Sequence, residues 1–163
     1  ILAIFIILTG CEKETEHSVT QNQPNINGAP EGTLTKHDSC KTFTTSTVDE
    51  KNESCVIYRY YDGILYLWHT NVNFNCCPGD ITADIDIHEN IITISATEKE
   101  AGCRCQCLFD LEYEIKNIKP GKYRILMIEQ HLPEGNEEFD FEIDLENNIS
   151  DEYCLKRKGY PWE

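Results

Sequence analysis

The chain carries 163 residues, with 29 Asp or Glu against 14 Lys or Arg, a net charge of −15 at neutral pH. That excess repels phosphate backbones and anionic surfaces, which argues against nucleic acid as a partner and speaks instead to solubility, cation attraction or a basic partner. Once a leader and a polar linker are set aside, the length leaves room for one domain with a single core.

Residues 1–8 (ILAIFIIL) form an unbroken apolar run, the length of a signal-peptide core and far too short to cross ~30 Å of hydrocarbon as a helix. Neither Met nor basic residues stand ahead of it, so part of such a leader is expected to precede Ile1. Leu8-Thr9-Gly10-Cys11 closes the run. This resembles the lipobox of bacterial lipoproteins, which implies that Cys11 becomes the lipidated N-terminus and attaches the protein to the outer membrane, periplasmic or surface-exposed. The bland alternative is a short buried apolar segment with an incidental cysteine, against which the abrupt change to charge argues. Glu12, Lys13, Glu14 and Glu16 resemble the acidic export signal behind the lipidated cysteine of some Bacteroidota surface lipoproteins, and read equally as a solvated linker. Through residue 39 almost nothing is large and apolar, so the segment cannot offset its ordering entropy. A flexible chain of that length spans on the order of 30 Å. The expected organisation is a leader and lipobox over 1–11, a tether over 12–39 and one domain over 40–163.

Beyond Cys55 the apolar period is two, which predicts strands. Residues 56–61 (VIYRYY) meet Asp62-Gly63, a hairpin signal, and then 64–75 (ILYLWHTNVNFN). A regular strand there places Ile64, Tyr66, Trp68, Val72, Phe74 and Cys76 on one face and His69 on the other. After Pro78-Gly79, Ile81, Ala83, Ile85 and Ile87 alternate with Thr82, Asp84, Asp86 and His88, and Glu89-Asn90 turns into Ile92, Ile94 and Ala96. In residues 103–115, Cys103, Cys105, Cys107, Phe109, Leu111, Tyr113 and Ile115 share a face. Two further strands, 123–130 and 139–145, make about seven, a number that suggests an antiparallel β-sandwich.

Ile118-Lys119-Pro120-Gly121-Lys122-Tyr123 resembles the tyrosine corner of immunoglobulin-like and fibronectin type III sandwiches. The resemblance implies an all-β, immunoglobulin-like fold and says nothing about activity. It also makes residues 64–76 and 103–115 antiparallel neighbours, so that Cys76 and Cys77 meet Cys103 and Cys105.

With Cys11 lipidated, eight of the nine cysteines remain: Cys40, Cys55, Cys76, Cys77, Cys103, Cys105, Cys107 and Cys154. An even number in an exported protein reads as a disulfide framework. At least one bridge is expected from Cys76 or Cys77 to Cys103 or Cys105, with Cys40, Cys55 and Cys154 fastening the chain ends. The alternative is a Zn or Cu site of Cys76, Cys77, Cys103, Cys105 and Cys107 thiolates, although CxCxC lacks the CxxC turn that presents two sulfurs to one ion. Redox catalysis ordinarily uses CxxC opening a helix, which is not seen here. Asp80, Asp84, Asp86 and Glu89 read as a solvated strand face ahead of a calcium site. Tyr58, Tyr60, Tyr61, Tyr66 and Trp68 read mainly as packing, with stacking on a sugar or peptide as the functional alternative. Lys156-Arg157-Lys158 and Tyr160-Pro161-Trp162 form a basic, aromatic tail expected to fold back on the acidic domain. There is no EF-hand spacing, phosphate loop, HExxH or GxSxG. The expected function is noncatalytic binding of a protein or cell-envelope component, with no cofactor. A metal-binding lipoprotein and an inhibitor of a secreted hydrolase stand as alternatives.

Overall fold

The computed structural model describes residues 26–43, 51–99 and 102–162. The apolar leader, Cys11 and residues 12–25 of the tether lie outside them. The fold is all-β, with nine strands among the described residues: β1 (Glu31–His37), β2 (Glu53–Tyr61), β3 (Ile64–Asn75), β4 (Ile81–His88), β5 (Ile91–Glu98), β6 (Gln106–Lys116), β7 (Lys122–Glu129), β8 (Phe139–Asp144) and β9 (Ser150–Lys156). They form a five-stranded sheet ordered β1-β6-β3-β2-β9 and a four-stranded sheet ordered β4-β5-β7-β8. Alternate residues of each sheet point into the space between them. Val56, Leu67, Phe74 and Leu111 from the larger sheet pack with Ile94 and Ile125 from the smaller one.

The turn chemistry acts as the residues require. Asp62 and Gly63 both have positive φ (51° and 77°), the type I′ geometry that matches strand twist in a two-residue hairpin. The Tyr123 hydroxyl donates to the Lys119 carbonyl at 3.0 Å, closing the tyrosine corner where the chain enters β7.

Four expectations need correction. First, the count is nine strands rather than about seven, because both extra strands are edges with little apolar signal. One of them, β1, lies inside the expected tether: residues 31–37 pair antiparallel with β6, and Leu34 packs on the core. Such an edge needs backbone bonds and one apolar contact, not a periodic run. The other, β9, pairs with β2. Second, β5 and β7 run parallel, so the smaller sheet is mixed. The chain crosses to the larger sheet as β6 between them, and returning from the far end allows a parallel neighbour. Third, the ordered strand containing Cys107 starts at Gln106, and Cys103 and Cys105 lie in the bend ahead of it.

The fourth correction decides what the protein displays. On β3 the register with β6 slips between His69 and Val72, where three residue steps oppose two. Asn71 sits at the slip with φ of 57°, and its N–H donates to the Asp110 carboxylate at 3.0 Å. One extra residue inverts the parity of everything before it. Val72 and Phe74 face inward as expected, but ahead of the bulge the inward residues are Leu65, Leu67 and His69. Tyr66 and Trp68 are thereby turned to the outer face, and His69 into the core on the same side as Phe74.

Candidate functional site

All eight domain cysteines are paired: Cys40–Cys107, Cys55–Cys154, Cys76–Cys105 and Cys77–Cys103. The β3–β6 ladder continues past its last strand pair, with Cys76 N–H donating to the Cys105 carbonyl at 3.0 Å and Gly102 N–H to the Cys77 carbonyl at 3.1 Å. This prolonged ladder sets two bridges side by side. Cys55 faces Cys154 directly across the β2–β9 ladder, at a Cα separation of 4.1 Å. The five sulfurs weighed as Zn or Cu ligands, Cys76, Cys77, Cys103, Cys105 and Cys107, are oxidised in these bridges, and the metal reading needs thiolates. Glu53 lies beside the Cys55–Cys154 bridge, where the same objection applies. Asp80, Asp84, Asp86 and Glu89 are exposed on and around β4.

The aromatic group divides. Tyr58 and Tyr60 belong to the core, where their hydroxyls donate to the carbonyls of Asn148 and Ile118 at 3.1 and 3.0 Å. Burial pushes the Tyr58 hydroxyl up to about 12. Tyr61, Tyr66 and Trp68 lie on the outer face, and with Arg59 they line a shallow groove of about 320 Å³. Arg59 stands directly opposite Tyr66 in the β2–β3 register. The Tyr66 and Trp68 rings are 19° from parallel and stacked with centroids 6.3 Å apart, and together they form an aromatic shelf. Across the other ladder, Glu114 faces Tyr66 and Glu112 faces Trp68. These carboxylates meet Lys116 at 3.6 Å and Lys36 at 2.7 Å. Among the described residues, the Arg59 guanidinium, the Tyr61 and Tyr66 hydroxyls and the Trp68 indole N–H have no hydrogen-bond partner.

A second groove, about 350 Å³, lies along the flank where the β8 and β9 edges approach. Its rings are engaged with each other: Phe141 stacks on Tyr153 at 4.0 Å, and the Tyr153 hydroxyl donates to the Glu142 carbonyl at 2.8 Å.

The core also holds a charged cluster. Arg157, directly after β9, turns inward to pair with Glu129 at the end of β7 and donates to the Glu137 carbonyl at 2.5 Å. Its guanidinium lies 5.0 Å from the Phe139 ring and 5.8 Å from that of Trp162, which is fully buried and donates its indole N–H to the Asn71 carbonyl at 3.0 Å. The basic, aromatic tail therefore divides: Arg157 and Trp162 plug the interior, while Lys156, paired with Glu53 at 3.3 Å, Lys158 and Tyr160 stay on the exterior. His69 Nε2 is 3.3 Å from the Ser54 hydroxyl and 3.8 Å from the Glu129 carboxylate. Burial, reinforced by Arg157, drives the imidazole down to about 3, so it is neutral at ordinary pH. Burial pushes the Glu129 carboxyl up to about 7, against the pull of Arg157.

Ser, His and Glu in contact invite comparison with a hydrolase triad, but the geometry is wrong for one. A relay needs serine on one ring nitrogen and carboxylate on the other. Here both address Nε2, and Ser54 and His69 are 0% and 1% exposed.

Glu98 and Glu129 escaped the sequence reading, although each carried a signal. They occupy the inward parity at the ends of Ile92-x-Ile94-x-Ala96-x-Glu98 and Ile125-x-Met127-x-Glu129. Glu98 accepts from the Asn75 N–H at 2.8 Å and meets His131 at 2.9 Å, beneath the paired disulfides. Compared with known proteins, the chain matches no family model, no curated protein and no solved structure.

Proposed function

We propose that this is a noncatalytic lipoprotein, held to the outer membrane through Cys11, whose sandwich binds a protein or cell-envelope component through the outer face of β2 and β3. The observation that carries the reading is the shelf of Tyr61, Tyr66 and Trp68 beside Arg59: aromatic surface and unengaged donors at one exposed place, whereas the other described tyrosines and Trp162 are buried or hydrogen-bonded. Sites that recognise ligands combine aromatic walls with a few convergent polar groups in this way. Four disulfides suit an oxidising compartment, and the tyrosine corner supports an immunoglobulin-like origin of the sandwich.

The test uses the full chain expressed with its leader in a bacterium that has an outer membrane. Fatty-acid label and membrane fractionation should follow Cys11 and be lost in Cys11→Ala. Cross-linking in the envelope should give adducts that disappear when Tyr66 and Trp68 are both changed to Ala. Unlabelled, freely soluble protein would defeat the tether, and adducts indifferent to the double change would defeat the binding face.

A further inference from the structure

Resting on the binding-face reading above, we infer that the occupant of the shelf is a neutral oligosaccharide chain, lying along β3 with successive rings on Tyr66 and Trp68. A pyranose ring presents an apolar C–H face and a rim of hydroxyls that both donate and accept. The shelf presents the complement. Its floor is two nearly parallel rings, and two side chains standing two apart on one strand carry a linear ligand better than a compact one. Its rim mixes a donor fork, Arg59, with the carboxylates of Glu112 and Glu114 on the opposite side.

Charge separates the candidate ligands. A carboxylated or sulfated glycan would gain Arg59, but the two glutamates beyond it are already paired with Lys116 and Lys36, and the chain as a whole carries a net charge of −15 that repels an anion. A neutral chain meets no such repulsion, and its hydroxyls engage both signs of the rim. A protein ligand needs a broader patch than a groove lined by four residues, since stable protein interfaces bury roughly 800 Å² and about 20 to 30 residues per partner. Of the core-directed aromatics on β2, Tyr58 and Tyr60 are already committed to backbone carbonyls, so the platform is confined to the outer set.

Titration of the protein with defined oligosaccharides tests this, followed by tryptophan fluorescence and calorimetry. The probes are neutral homo-oligomers of glucose, xylose, mannose and N-acetylglucosamine, each as monomer, dimer and hexamer, with hexagalacturonate as the charged control. Trp162 is buried, so quenching or enhancement on binding reports Trp68. At least one neutral series should bind, with the hexamer at least tenfold tighter than the monomer. Trp68→Ala should weaken it at least tenfold and Arg59→Ala less, both variants keeping the wild-type circular dichroism and urea midpoint. Binding of the uronate alone, no binding by any neutral series, or neutral binding untouched by Trp68→Ala would each overturn the inference. If envelope adducts depend on Tyr66 and Trp68 while every sugar fails, the glycan falls and the binding face stands; if the adducts are indifferent as well, both fall.

Discussion

Acidification should destabilise this domain through one side chain, His69. Its imidazole is fully buried between the sheets, with Ser54 of β2 and Glu129 of β7 at Nε2, Arg157 behind the carboxylate and the Phe139 ring edge-on at 5.1 Å. Burial holds it neutral down to about pH 3, whereas in the unfolded chain it takes up a proton below its ordinary value of 6.5. The folded value is depressed, so the stability tied to neutral His69 is fully present above pH 6.5 and is lost as pH falls from there towards 3. Each pH unit in that window costs about 1.4 kcal/mol, so two units, from 6.5 to 4.5, remove roughly 3 kcal/mol. Glu129 acts in the opposite sense: its raised value gives stability that is present below 4.5 and lost as pH rises through about 7. A single pH profile therefore mixes the two, and the informative quantity is the difference between wild type and His69→Gln, in which Glu129 is retained. Urea unfolding of both proteins, disulfides intact, at pH 7, 6, 5 and 4.5 gives that difference. It should shrink by roughly 3 kcal/mol between pH 7 and 4.5. A difference constant across the series would show that His69 is protonated in the folded state or solvated there, and the burial argument would be refuted.

Three further outcomes follow from packing. A Cβ at Gly32 would lie 2.3 Å from Cγ2 and 2.8 Å from Cβ of Ile85, where β1 closes on β4, so Gly32→Ala should cost about 1 to 3 kcal/mol in urea unfolding because a β-branched stem cannot swing aside. Replacing Cys55 and Cys154 together by Ala frees a loop spanning 99 residues and should lower stability by about 2 to 4 kcal/mol, while thiol titration of the denatured, unreduced wild-type domain should find no free sulfur among residues 40–154. Trp162→Ala removes a fully buried ring and its bond to Asn71 and should cost about 3 to 5 kcal/mol, seen as a lower urea midpoint; Trp68→Ala, on the outer face, should shift the midpoint little.

Much of the architecture was legible in local pattern. The alternation in residues 81–88, 92–96 and 103–115, the Asp62-Gly63 turn and the Pro120-Gly121-x-Tyr123 corner each determine a short stretch of backbone from neighbouring residues, and the antiparallel meeting of residues 76 and 77 with 103 and 105 followed from the strand order that the immunoglobulin-like resemblance implies. The two edge strands of the larger sheet, β1 and β9, were invisible because each is held mainly by backbone bonds to a partner far along the chain. The seven residues of β1 contain one apolar side chain that packs on the core, Leu34.

The face of the shelf and the fate of the tail are the parts that only tertiary structure decided. Strand parity is a relative quantity: it carries along the chain until one residue is inserted, and the bulge at Asn71 depends on a carboxylate 39 positions away, on Asp110. From that contact follow the exposure of Tyr66 and Trp68 and the burial of His69. In the same way, Arg157 reads as a surface charge until Glu129, brought beside it from another sheet, makes its burial tolerable. Local sequence determined which of the strongly alternating segments are extended, and long-range pairing decided the outer strands of the larger sheet and which side of each segment meets water.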